Sequence, residues 1–412
     1  MILYRAAWIL PIATRPIRGG ALLTIGRHIA GVFPSPSLPD GYGAELVDDP
    51  ERHQSIENVD LGDVAILPGL VNAHTHLELS WMRGKVASLD SMPAWAASVI
   101  ALRREQCAEP RAPIETAITE ARAAGTALVG DVTNTLAADQ LLRESSLAGA
   151  MFYEVLGFRA TEPEQVVTTA RAVLNALPST PEWKRTVVPH APYSVSPDLF
   201  RAIGNAAGNM PMSVHLGESR DEMEFLRSAT GAWRELLGRL SAWNDRWQPP
   251  GCGPVEYLER LGLLNQRLMA VHGTQLTDGE LRRLASAGAT LVTCPRSNRW
   301  TGAGTPPIER FYSSGVRVAI GTDSLASVED LNMFGELAYL RRLAPHVPAR
   351  RLLQSATLAG AEALGFEKEF GTLDSGKRAS LIAVRVPHGI EDVEEYLLSG
   401  IQPDAITWLE TR

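Results

Sequence analysis

Two histidines one residue apart, His74 and His76, end the hydrophobic run within LPGLVNAHTHLELS at 67–80. Residues i and i+2 of a strand point to the same side, so both imidazoles project together from one strand end. Neutral imidazoles so arranged chelate a divalent metal, whereas the plainer alternative is two unrelated polar residues at a strand–loop junction. Three later motifs extend the set: His215 in SVHLGES, His272 in AVHGTQL and Asp323 in AIGTDS. His74, His76, His215 and Asp323 make a donor set of three nitrogens and one oxygen, which suits a divalent transition metal. Hydrolytic centres of this kind keep one position for water and lower its pKa toward neutrality. Glu218, three residues after His215, is placed to take that water's proton and pass it to a ring nitrogen or leaving group. His272 is placed to orient the water and stabilise developing oxyanion charge, and Asp323 to accept a proton. Taken singly, each has a plainer account. His272 could be a satisfied core histidine, Glu218 a carboxylate favoured at a helix start, and Asp323 an N-cap.

What would bring these residues together is a series of short apolar runs. Eight occur, at 64–76, 126–134, 150–158, 186–194, 210–219, 268–276, 289–298 and 316–324. Amphipathic helical patterns lie between them, such as PIETAITEARAAG and DGELRRLASAG. The latter offers Thr277 or Asp278 as N-cap and Gly288 as C-cap. Continuous apolar runs alternating with helices predict buried parallel strands, and eight such units match an α/β fold of the (β/α)8 TIM barrel type. An open doubly wound sheet is disfavoured because no GxGxxG turn follows the first run. Nearly every run ends in a polar residue: His74 and His76, Asp131, Glu154, His190, His215, His272, Ser297 and Asp323. In a barrel these ends share one mouth, where active sites are built. Five of the nine histidines fall there; His28, His53, His346 and His388 lie in turn-like or tail segments.

The bulk properties exclude other classes. The 412 residues are 45% hydrophobic and 21% charged, an ordinary globular balance with room for one large and one smaller domain. A net charge of −8 without a basic cluster argues against nucleic acid or an anionic membrane as partner. Cys107, Cys252 and Cys294 are scattered and form no CxxC pair, which fits a reducing cytoplasm. The apolar start, MILYRAAWILPIATRPI, is short and broken by Pro11 and Pro16, so it reads as a first strand rather than a leader or membrane span.

In order along the whole chain, HTH (74–76), HLGES (215–219), VHGTQL (271–276), CPRSN (294–298) and GTDS (321–324) resemble the amidohydrolase superfamily. The likeness is greatest to its aminohydrolase branch, with methylthioadenosine/S-adenosylhomocysteine and aminofutalosine deaminases and triazine chlorohydrolases. GTLDSGKRASLIAV (371–384) adds to it. The resemblance implies a barrel at 66–369 interrupting a small β-sandwich built from 1–65 and 370–412. It implies the metal ligands and the roles of Glu218 and His272 given above, and it adds His190 and Ser327 as substrate contacts. With no lysine on the third or fourth run, it further implies one divalent ion, zinc or else iron, and it is compatible with a homodimer.

The segment HLELSWMRGKV followed by SMPAWAASVIALRR resembles aminofutalosine deaminases, and makes Trp81, Arg83 and Trp95 candidate pocket residues, with Arg83 read equally as a surface residue and Trp95 rather as core. Two features depart from the commoner pattern. The strand-six motif reads VHGTQL where many relatives have His-Cys, and 230–258, with Trp233, Trp243 and Trp247, is long. That insertion reads either as a lid over substrate or as a packing or subunit interface. The expected activity is hydrolytic deamination of an amino-substituted, nucleoside-like heterocycle, with aminofutalosine favoured over methylthioadenosine, S-adenosylhomocysteine or guanine. Hydrolysis of a cyclic amide or C–Cl bond, and an inactive barrel used for binding, are the alternatives.

Overall fold

The computed structural model describes residues 1–38, 56–105 and 110–409, so His53 and Cys107 lie outside the described residues. Seven strands come first: β1 (Ile2–Arg5), β2 (Trp8–Ile9), β3 (Ile17–Arg18), β4 (Ala21–Ile25), β5 (His28–Phe33), β6 (Glu57–Asp60) and β7 (Val64–Pro68). Eight more follow, each after the first preceded by helix: β8 (Leu70–Thr75), β9 (Thr126–Thr133), β10 (Ala148–Val155), β11 (Trp183–Pro189), β12 (Met212–Leu216), β13 (Leu268–His272), β14 (Thr290–Thr293) and β15 (Arg317–Ile320). Near the end come β16 (Leu381–Arg385) and β17 (Ile406–Leu409).

All eight apolar runs contain a strand. β8 to β11 form one parallel four-stranded sheet and β12 to β15 another. The two halves meet at two seams. At one, the His215 N–H donates to His190 O at 2.9 Å; at the other, the Asp323 N–H donates to His74 O at 3.0 Å. Both seams are therefore made by residues of the candidate site. The halves together form the (β/α)8 barrel, whose strands are buried on both faces as parallel strands require.

The remaining strands form two smaller sheets, in the orders β5-β4-β1-β6 and β17-β16-β7-β2-β3. The first run, expected as one strand over 64–76, is two. Val64–Pro68 pairs with Leu381–Arg385 in the smaller sheet, and Leu70–Thr75 enters the barrel. The break falls at Gly69, where a Cβ would lie 2.6 Å from Ala127 Cβ and 2.8 Å from the Trp408 ring. The apolar sequence continues across the break because both strands are buried: Ala65 and Leu67 share one core with Leu70, Val71 and Ala73, while Ile66 faces the core of the smaller sheets.

Thr277 caps the helix Asp278–Ser286 through a reciprocal capping box with Glu280, and Gly288 follows that helix with φ +69°. Among the described residues no helix is long and apolar enough to cross a membrane.

Candidate active site

His74 is the fifth residue of β8, and His76 caps the short 3-10 turn Leu77–Met82 that follows. The register of β8 against β9 slips between Asn72 and Thr75, beside both histidines. Their Nε2 atoms lie 3.2 Å apart. Asp323 Oδ1 is 3.6 Å from His76 Nε2 and 3.9 Å from His74 Nε2. The donor nitrogens of His74, His76 and His215 all lie within 4.8 Å of one another. Ligands of one tetrahedral zinc ion, at its usual 2.0–2.1 Å zinc–nitrogen distance, stand about 3.3 Å apart.

The chemistry of the donors agrees with that spacing. Burial, then the neighbouring imidazoles, hold His74 and His76 well below the ordinary histidine range, and burial takes His215 down to about 4. All three are therefore neutral at physiological pH, the state a metal ligand needs. His215 Nδ1 faces His190 O at 3.2 Å and Glu154 Oε1 at 3.4 Å, so its proton sits there and Nε2 is left with a lone pair. Glu154 is itself held by Asn134 Nδ2 at 3.0 Å, and the Asn134 N–H donates to the fully buried Glu78. Glu154, His190 and His215 also offer ligand atoms within 4.8 Å of one another. There Glu154 is engaged by Asn134, and His190 Nδ1 lies 2.5 Å from Ser194 Oγ. The first set fits a divalent metal ion; the second supports it.

Around this centre stand the proton-handling groups. Glu218 is buried, with Oε1 3.6 Å from His272 Nε2 and Oε2 without a protein partner. Burial pushes its carboxyl well above the usual range, and the charges of Asp323 and Glu222 push the same way. Asn298 Nδ2 lies 2.9 Å from His272 Nδ1, which places the His272 proton on Nε2, toward the centre. Burial lifts Asp323 to about 6, against a hydrogen bond from Ser297 Oγ to Oδ2 at 2.5 Å. His272 and Asp323 both hold left-handed backbone angles, φ +75° and +61°, which non-glycine residues adopt rarely and which gather at functional sites.

These groups open into a cavity of about 490 Å³. Helix Met92–Glu105 lines it through Met92, Trp95 and Val99, and helix Ala232–Arg239, which touches that helix, through Trp233, Leu236 and Leu237. Trp233 stacks on Tyr193 with ring centroids 3.7 Å apart and planes 11° apart. His190 also lines the cavity.

Not every expected contact is there. Ser327 lies behind Asp323, 2.8 Å from Ser297 Oγ, and does not line the cavity. Trp81 packs with Leu79, Met82 and Trp95 and lies outside the cavity lining. Arg83 is turned outward, paired with Glu120. Trp95 is buried in the cluster with Trp81, as the core reading has it, and also lines the cavity. From the long segment, Trp233 reaches the cavity, while Trp243 and Trp247 pack with Phe158 and Phe225. Asn298 and Glu154 were legible only as a motif neighbour and a strand end; Glu78 and Glu222 carried no signal that separates them from solvated acids.

The amidohydrolase family profile matches residues 65–402. A 5-methylthioadenosine/S-adenosylhomocysteine deaminase of Moorella thermoacetica is 31% identical, over 96% of this chain and 89% of that protein. An aminodeoxyfutalosine deaminase of Deinococcus radiodurans is 33% identical, over 74% of each. The crystal structure of a Xanthomonas campestris adenosine deaminase with bound zinc superimposes with a TM-score of 0.79 at 26% identity, covering 98% of this chain and 90% of that one. The Helicobacter pylori aminofutalosine deaminase, at 24% identity and TM-score 0.82 over 97% and 95% of the chains, shares the fold. Ligand-type residues gathered at the strand ends of a (β/α)8 barrel, with a profile match across most of the sequence, place this chain in the amidohydrolase family.

Proposed function

We propose that this protein is a metal-dependent hydrolytic deaminase of an amino-substituted, nucleoside-like heterocycle, working with one bound zinc ion. The observation that carries the reading is the pairing of the His74, His76, His215 and Asp323 donor set with the buried Glu218–His272 pair at the base of one cavity. The named relatives that span most of the chain support it, being deaminases of adenosine derivatives.

His74, His76, His215 and Asp323 would hold the ion, which when bound supplies an acidified water as nucleophile. Glu218, with its free Oε2, would take up a proton from the nucleophile at that atom and deliver it to the ring nitrogen beside the reacting carbon. His272 donates from Nε2 to the oxygen as it gains charge. Asp323, steadied by Ser297, accepts the second proton and returns it to the departing amine. The carbon–oxygen bond forms, the carbon–nitrogen bond breaks, and ammonia leaves with a ring carbonyl behind it. The apolar walls suit a flat ring with an apolar substituent, and His190 is one of the polar groups in the lining, with Arg103, Asn134 and Arg159.

The test is ammonia release by the zinc-loaded protein against methylthioadenosine, S-adenosylhomocysteine, aminodeoxyfutalosine, adenosine and guanine. Stoichiometric ammonia from one of them is the expected result. None from any aminated ring would remove deamination as the function.

A further inference from the structure

The loop that carries Glu218 is gripped by a second acid. Glu222 is fully buried, in the first turn of the helix Arg220–Ser228. Its Oε1 accepts the N–H of Gly217 and its Oε2 the N–H of Glu218, both at 2.9 Å. An acid at this position of a capping box ordinarily reaches back to the N–H of the cap residue itself. Here the cap is Ser219, whose Oγ accepts the Glu222 N–H at 3.2 Å. The carboxylate passes over it to the two preceding amides, so it ties down the loop that leaves β12.

The other side of that loop is held as well. Gly217 turns with φ +62°, its carbonyl accepts the Gln275 N–H at 2.8 Å, and a Cβ there would lie 2.4 Å from Leu276 Cδ2. The peptide before Glu218 is thus fixed between Glu222 and the loop that follows His272.

We propose that Glu222 is a positioning residue: its carboxylate fixes the main chain of Glu218 so that the Glu218 carboxylate stays beside His272 and the metal centre. The inference rests on the reading of Glu218 as the proton carrier. Its chemistry is specific to a glutamate. Two diverging N–H groups need two acceptor oxygens at that reach; glutamine offers one acceptor and sets an NH2 against the other N–H, and aspartate is one methylene short. A displacement of about 1 Å at a reacting group costs on the order of 100-fold in rate.

The experiment compares wild type, Glu222→Gln and Glu218→Gln for kcat, KM, bound metal and thermal melting. Glu222→Gln is expected to lower kcat by about 10–100-fold, with KM within about threefold and metal content unchanged. Unchanged kcat per folded molecule, or a loss matched by an equal loss of metal, overturns the proposal. Ser219→Ala removes the helix cap and leaves the tether, so it should keep most of kcat; a loss equal to that of Glu222→Gln assigns the effect to the helix and overturns the proposal too. If Glu222→Gln does not fold, hydrogen exchange in the wild type decides, since slow amides at Gly217 and Glu218 are required and fast ones refute the tether. Full turnover by Glu218→Gln would sink the proton-carrier reading itself. Loss in Glu218→Gln with none in Glu222→Gln would sink the tether alone.

Discussion

Asn298 Nδ2 stands 2.9 Å from His272 Nδ1, and both side chains are buried. One amide thus decides which nitrogen of His272 carries its proton. Asn298→Ala removes that constraint and leaves the ring free to present the wrong tautomer to the centre. Turnover should fall about 10–100-fold, the range for partners that orient a site imidazole, with KM little changed. Steady-state ammonia release measures it, and an unaltered kcat would show that His272 keeps its tautomer without Asn298.

Glu218→Gln keeps the shape of the side chain and removes its basicity. The free Oε2 and the raised proton affinity of the buried carboxyl suit a group that takes up a proton and releases it again. Loss of a general acid–base group costs about 10²–10⁴-fold, so kcat should fall by that factor while the variant retains its metal. Elemental analysis beside the rate assay separates the two effects. A variant that lost metal and activity together would make Glu218 part of the donor set.

Chelation should stop turnover and lower the melting temperature, and zinc should restore both. His74 lies on β8, His76 just past it, His215 on β12 and Asp323 after β15, so an ion bound there ties both halves of the barrel together. A ligand at 100 times its dissociation constant stabilises the fold by about 2.7 kcal/mol. Scanning calorimetry with and without chelator reads the shift. Full activity after verified metal removal would contradict the reading of His74, His76, His215 and Asp323 as ligands.

The donor set was legible because a parallel barrel strand is apolar throughout, so a histidine at its end stands out against the pattern. Position along a strand also fixes the direction a side chain faces for His74, His215 and His272, and His76 and Asp323, just past their strands, converge on them. Helix and loop residues carry no such constraint. Trp95 sits on a helix whose buried side faces a cavity, and hydrophobic periodicity does not distinguish a cavity from a core. Trp81 and Arg83, one and three residues past Ser80, lie in a turn whose direction no period records. Glu222 reads as an ordinary first-turn acid, since only the path of the preceding loop reveals that it is buried. The break at Gly69 was hidden because buried apolar residues run on across it from β7 into the start of β8, most of them in one core.

The Tyr193–Trp233 stack makes the long segment part of the cavity wall. Trp233→Ala opens that wall without touching the metal centre. An aromatic pair contributes about 0.5–1.5 kcal/mol beyond its buried area, so KM should rise up to about tenfold, with a smaller change in kcat. An unchanged KM for the substrate identified by the ammonia assay would place that substrate away from Trp233.

Gly321 ties stability to the metal site. A Cβ there would lie 2.6 Å from His74 O, 2.7 Å from His74 Cβ and 2.9 Å from His74 N. These are largely backbone atoms, held at the seam where Asp323 N–H meets His74 O, and they cannot turn aside as a flexible side chain would. Gly321→Ala must therefore push β15 from β8, at a cost of about 1–3 kcal/mol for overpacking a tight core. The same push moves His74 relative to His76 and Asp323, so the variant should also bind zinc more weakly. Melting curves taken with and without chelator separate the two consequences. The metal-free variant should melt below metal-free wild type, and the gain on adding zinc should be smaller. An equal gain would mean that the strain relaxes elsewhere and leaves the donor set in place.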